Sequence, residues 1–256
     1  MSEGDEKIVK VELVKPIPEH KNKAGKIIAG IVGLLTIVTL VISIVQYVSG
    51  EEYLLGLFRV KPVATHAYKV GETVHFGLWD WRVLDMRDGK ALLITKDIIE
   101  LQPYHNEWVD VTWEACTLRT YLNGEFLEKF STQEQEKICE IENVNWDNQW
   151  FGISGGSNTK DKVFLLSIEE AVKYFGDSGQ FKNKKPDNAF SINDEYNGAR
   201  TVKFNNEEYT WWLRSPGFSQ DRAADITGGG NIHLGGFAVY HVDSIGVRPA
   251  LWLKLT

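Results

Sequence analysis

The chain has 256 residues, 43% hydrophobic and 25% charged, with a formal net charge of −7 and only two cysteines. That is enough apolar material for one large or two small folded domains and too much for low-complexity disorder. The acidic balance, with no basic face legible in the C-terminal part, argues against binding a phosphate backbone, so no nucleic acid is expected as a partner.

Residues 1–26 mix charges with Pro16 and Pro18 and read as a disordered cytoplasmic tail. Between Lys26 and Glu51 there is no charged residue, and Ile27 to Val48 is apolar on every side. As a helix that stretch is about 33 Å long, which predicts one transmembrane span over 27–48. A cleaved signal peptide would start nearer the terminus and be shorter, although Val48-Ser49-Gly50 offers a small-residue site. Lys15, Lys21, Lys23 and Lys26 precede the span, and Glu51 and Glu52 follow it. This asymmetry places the N-terminus in the cytoplasm and the large C-terminal part outside the cell, with the lipid bilayer as a first partner. Residues 49–67 read as a juxtamembrane connector, and folded patterning begins at Tyr68.

From there the pattern is α+β, with short strands, about three helices and long loops. "TVHFGLWDWRVLDMRDGKALLITKDII" alternates about a turn at Asp88-Gly89, the mark of a hairpin. Thr112 is placed to cap a helix through Leu122 that stops at Asn123-Gly124. Ser131 with Glu134 forms a capping box for a helix to Ile141, and Ser167 with Glu170 forms another for a helix ending at Gly176. Both cysteines, Cys116 and Cys139, then fall on helices, as core thiols or as one disulfide. Asp177 to Glu208 is polar and reads as a long loop.

Chemistry-bearing motifs are few. Gly152-Ile-Ser-Gly-Gly156 fits Gly-x-Ser-x-Gly around Ser154, with His233 or His241 as a base. Neither the apolar strand nor the helix of a nucleophile elbow flanks it, so a glycine loop is the better reading. Carboxylates are plentiful, but none pair at a spacing that signals general acid–base work. Gly228-Gly229-Gly230 lacks the context of a phosphate cradle. No ligand-spaced histidines or cysteines occur, so neither a metal nor any other cofactor is expected.

The blocks "GETVHFGLWDWRVLDMRDGKALLITKDIIELQPYH", "DVTWEACTLRTYLNGEFL", "DKVFLLSIEEAVKYF", "TWWLRSPG" and "GVRPALWL" together resemble a widespread bacterial domain family without an assigned activity, from Tyr68 to the C-terminus. The ending further resembles the C-type-lectin-like fold of formylglycine-generating enzymes and of retroelement-diversified ligand-binding proteins. No cysteine follows Cys139, so the enzyme branch's chemistry is not expected. No Glu-Pro-Asn or Trp-Asn-Asp triplet points to calcium-dependent sugar binding either. The resemblance implies a C-type-lectin-like outer domain over 68–256. In it Trp211, Trp212, Arg214, Arg248 and Trp252 would be framework. Asp221 to Asp243 would be a displayed, irregular stretch, with Asp225, Asn231, His233, Phe237, Tyr240 and His241 as the ligand-binding surface.

The function expected from the sequence is a single-pass, cell-surface binding or sensor protein, with no catalytic residue and an extracellular protein or glycan as ligand. The alternatives are an extracellular glycan or cell-wall hydrolase and a structural subunit of a membrane protein complex.

Overall fold

The computed structural model describes residues 68–184, 190–240 and 245–255. The chain divides between Ala64 and Thr65, and the described residues all belong to the second unit. The expected tail, membrane span and connector lie outside the described residues. Among the described residues no helix is long and apolar enough to cross a membrane.

The domain opens with β1 (Thr73–Phe76), β2 (Trp79–Arg87) and β3 (Lys90–Thr95). In β1 the side chains alternate, with Val74 and Phe76 buried and Thr73 and His75 exposed, as one covered face requires. The β2–β3 turn is the expected one. Asp88 and Gly89 have φ of 50° and 69°, the left-handed pair that a two-residue hairpin needs. A short β4 (Glu100–Leu101) follows.

The helix expected from Thr112 is divided. Trp113–Ala115 make a 3-10 turn, and α1 (Thr117–Asn123) starts afresh after Cys116, whose extended backbone has ψ of 148°. Thr112 makes no capping hydrogen bond; Cys116 Sγ accepts one from the Arg119 N–H instead. Tertiary contacts hold the break in place: the buried Trp113 indole and the Arg119 guanidinium both donate to Asp161.

The capping box of Ser131 and Glu134 starts α2 (Thr132–Lys137). That helix ends short of Ile141 because Ile138–Cys139 form β5 and pair with Trp252 and Leu253. Cys139 is therefore half-buried on a strand, and both cysteines are free. After β6 (Ile141–Asn143), β7 (Thr159–Asp161) and β8 (Val163–Phe164), the second capping box starts α3 (Ile168–Phe175). It ends at Gly176, which has φ of 88°. The expected long loop holds β9 (Ser191–Ile192), α4 (Asn197–Arg200), β10 (Lys203–Phe204) and β11 (Glu207–Glu208). The chain closes with β12 (Trp211–Pro216), β13 (Arg222–Ile226), β14 (Ile232–Ala238), β15 (Gly246–Val247) and β16 (Ala250–Lys254).

These elements make an α+β fold of several sheets and few, short helices. In the first large sheet the order is β1-β2-β3-β16-β5, with β8 also on β16, so the opening hairpin and the last strand lie side by side. The second runs β4-β15-β12-β13-β14-β9. The stretch expected to be irregular thus contains two antiparallel strands, β13 and β14, paired through a bulge in the middle of a sheet.

The five framework residues are all buried. Trp211 and Trp212 are neighbours on β12, so they point to opposite faces of the second sheet and pin both. Trp212 packs against Tyr104 and donates to Gln102 O, while Trp211 packs against Phe175 and donates to Arg200 O. The Arg248 guanidinium lies 4.8 Å over the Trp211 ring and donates to Thr95 O and Lys96 O. Its complete burial, with the neighbouring Arg82 charge, lowers its pKa to about 9. Arg214 bonds the Glu170 carboxylate, Leu165 O, Val144 O and the Asn145 side chain.

Candidate ligand-binding surface

The site is built along β14. The register across four strands aligns Trp212 of β12, Asp225 of β13, His233 of β14 and Ser191 of β9. Directly opposed residues share a face, so these four side chains stand in one row. Asp225 is wholly buried, and its Oδ2 lies 2.9 Å from His233 Nδ1. An ionised carboxylate can only accept, so with Asp225 ionised Nδ1 carries the shared proton. Burial lifts the Asp225 carboxyl to about 6, with the hydrogen bond and charge of His233 pulling the other way. Its Oδ1 is buried with no hydrogen-bond partner among the described residues.

Not every residue expected on the surface is displayed. Asp225 is a buried support behind His233, which is itself partly exposed. Phe237 is packed against the core with its ring edge-on to His233, 5.3 Å between centroids. Asn231 is half-buried, and its side-chain oxygen accepts from Asn197. Tyr240 is exposed (46%), while His241 lies outside the described residues. Ser154 lies on a loop, and its hydroxyl accepts from the Gly156 N–H.

Beside this row lies a cluster that the linear sequence does not reveal. Phe151 stacks on Phe190 with centroids 5.6 Å apart, and Phe218 meets both rings edge-on at 6.2 and 5.6 Å. Phe190 and Phe218 remain 46% and 40% exposed. Cations cover the flanks: Arg222 lies 4.6 Å over Phe218, and Lys184 lies 4.9 Å over Trp150 and 5.0 Å over Phe151.

Three segments far apart in sequence meet here because Asn148 ties them. Its buried amide donates to Pro216 O, Gly217 O and Leu234 O at 2.8, 3.2 and 2.9 Å. Gly235 N donates to Phe190 O, and Phe218 N donates to Gly235 O. A Cβ on Gly235 would lie 2.6 Å from the Phe190 ring, so this glycine makes the seat for that ring. Further along, Trp108 is 71% exposed and its indole donates to Asp221, whose backbone oxygen bonds Val239 next to Tyr240.

The family model for a domain of unknown function, DUF6273, matches residues 88–255. The chain belongs to the DUF6273 family. The match takes in both sheets' closing strands and every residue of the β14 surface. It starts at the β2–β3 turn, so β1 and β2 add two paired strands ahead of it in this DUF6273 chain. No curated protein and no solved structure matches the chain significantly. Among the described residues no cluster of histidine, cysteine and carboxylate side chains is arranged to hold a metal ion.

Proposed function

We propose that this DUF6273 protein is a membrane-anchored, cell-surface binding protein whose outer domain recognises a protein ligand through the aromatic face beside β14. The observation that carries the reading is the Phe151–Phe190–Phe218 cluster, with two of its rings left in water and cations over its flanks. A contiguous exposed apolar patch with a polar rim is costly for a soluble domain and typical of a protein contact. Aromatic rings with arginine beside them are the side chains that most often anchor such contacts. The anchoring and outside orientation rest on the uncharged stretch 27–48 and its flanking lysines. A C-type-lectin-like arrangement belongs to the same reading. The opening hairpin pairing with the last strand in one sheet favours it, with β13 and β14 carried between the Trp-Trp-Leu-Arg and Gly-Val-Arg-Pro blocks.

The test is photo-crosslinking of the full chain on cells that express it, with p-benzoylphenylalanine at position 218 and, as a control, at exposed Leu78. A discrete adduct from position 218 that disappears with Phe190→Ser is expected. Equal labelling from both positions, or none from 218, would remove the reading.

A hydrolase is the second reading, and one observation favours it: buried Asp225 orients His233, and Ser191 stands opposite on the next strand. Ester turnover lost in both Ser191→Ala and His233→Ala, with folding kept, would put it first.

A further inference from the structure

The first sheet carries a groove that shares none of the residues of the β14 surface. Two adjoining clefts, of about 440 and 230 Å³, have Arg87, Glu142, Ile141 and Trp252 in common. The larger lies within the range of roughly 300–1,000 Å³ usual for small-ligand sites. The smaller adds Asp88 and Lys90 of the β2–β3 turn to the lining.

Its walls are aromatic and polar together. Trp146 leaves 54% of its surface in water, and Trp252 lies beneath the Arg87 guanidinium at 4.6 Å. Its charges oppose each other. Arg214 is satisfied by Glu170 and Lys173 is paired with Asp85. Asp88 and Lys90 line the smaller cleft alone, whereas exposed Arg87 and exposed Glu142 are shared by both clefts, with neither head group hydrogen-bonded to a described residue.

A donor fork and a two-oxygen acceptor at the middle of one groove suit a ligand whose neighbouring groups both donate and accept. Vicinal hydroxyls do so without carrying charge. An anionic ligand would meet the Glu142 carboxylate, and a cationic one would meet the Arg87 guanidinium. The exposed indole supplies a flat apolar face for the C–H face of a sugar ring. Two adjoining clefts give room for more than one linked unit.

We infer that this groove binds a neutral oligosaccharide, with Trp146 as the stacking platform and Arg87 and Glu142 as the hydroxyl-recognising pair. The site does not depend on the protein contact proposed for β14.

The experiment is a screen of the full chain in detergent against an array of neutral, acidic and basic glycans and short peptides, followed by titration calorimetry with the best neutral binder. Trp146→Ala and Glu142→Gln are each expected to weaken that binding about tenfold or more. Both residues are exposed, so the melting temperature should stay unchanged. Phe190→Ser, on the other surface, should leave glycan binding as it is, which separates failure of this site from failure of the β14 reading. Binding to no neutral glycan, binding confined to charged glycans or peptides, or neutral-glycan affinity that survives Trp146→Ala would overturn the inference.

Discussion

Asp225 and His233 stand opposite each other on β13 and β14, with the buried carboxylate 2.9 Å from the imidazole Nδ1. Burial dominates the pair and holds the Asp225 pKa near 6, against about 3.9 for an aspartate in the unfolded chain. Between those values the folded state binds more protons than the unfolded one. Stability from this group is therefore greatest at low pH and falls as pH rises from about 4 through about 6. Asp225→Asn cannot titrate. Its stability relative to wild type should rise by on the order of 2 kcal/mol between pH 4 and pH 7. Urea melts at both pH values check this, and a constant difference would mean the carboxyl is not raised.

Buried and exposed aromatics of the C-terminal stretch should separate in thermal melts. Trp212→Ala removes a fully buried ring and should cost about 3–5 kcal/mol. Tyr240→Ala, at an exposed position, should stay within about 0.5 kcal/mol. Phe237, expected from sequence to behave like Tyr240, is packed on the core, so Phe237→Ala should fall between them at about 1–2 kcal/mol.

Two adjacent glycines should respond differently to alanine. Gly236 has φ of 70°, and a Cβ there would lie 2.2 Å from Ala223 O, so Gly236→Ala should destabilise by about 2 kcal/mol or more. At Gly235 the atoms nearest an added methyl belong to the Phe190 side chain, its ring at 2.6 Å and its Cβ at 3.2 Å, so Phe190 must shift. Gly235→Ala should keep most of the stability while displacing Phe190. Melts of both variants, with crosslinking yield from position 218 for the second, check the pair.

The two thiols should differ in reactivity. Cys116 is wholly buried, and desolvation lifts its thiol to about 12, so little thiolate exists near neutral pH. Cys139 is half-buried on β5. Titration with a thiol reagent should label Cys139 alone in the native protein and both residues in denaturant. Prompt native labelling of Cys116 would contradict its placement.

What could be read in the sequence was whatever short-range bonding decides. Asp88-Gly89 makes its turn with its own dihedral angles, and Ser131 with Glu134 and Ser167 with Glu170 close their boxes within four residues. Where distant partners decide, the reading from sequence departed from the structure. Cys139 left its expected helix because Trp252, far along the chain, offers it a strand. Asp225 went inside because His233 opposes it across the sheet, a register the intervening turn and bulge conceal. The phenylalanine cluster had no local signal at all. Phe151, Phe190 and Phe218 share no periodicity and meet through the hydrogen bonds of Asn148 and Gly235. An asparagine between two tryptophans, in Trp146-Asp-Asn-Gln-Trp150, was the only hint of a polar tie there.

The most direct test of the central claim, that the aromatic face beside β14 exists to bind, is the double variant Phe190→Ser/Phe218→Ser of the full chain. Its melting temperature and its retention of the crosslinked protein partner would be measured side by side. Rings half in water that serve recognition should be dispensable for folding, so an unchanged melting temperature with lost partner retention is the predicted result. Retention at the wild-type level, or unfolding as severe as that of Trp212→Ala, would contradict it.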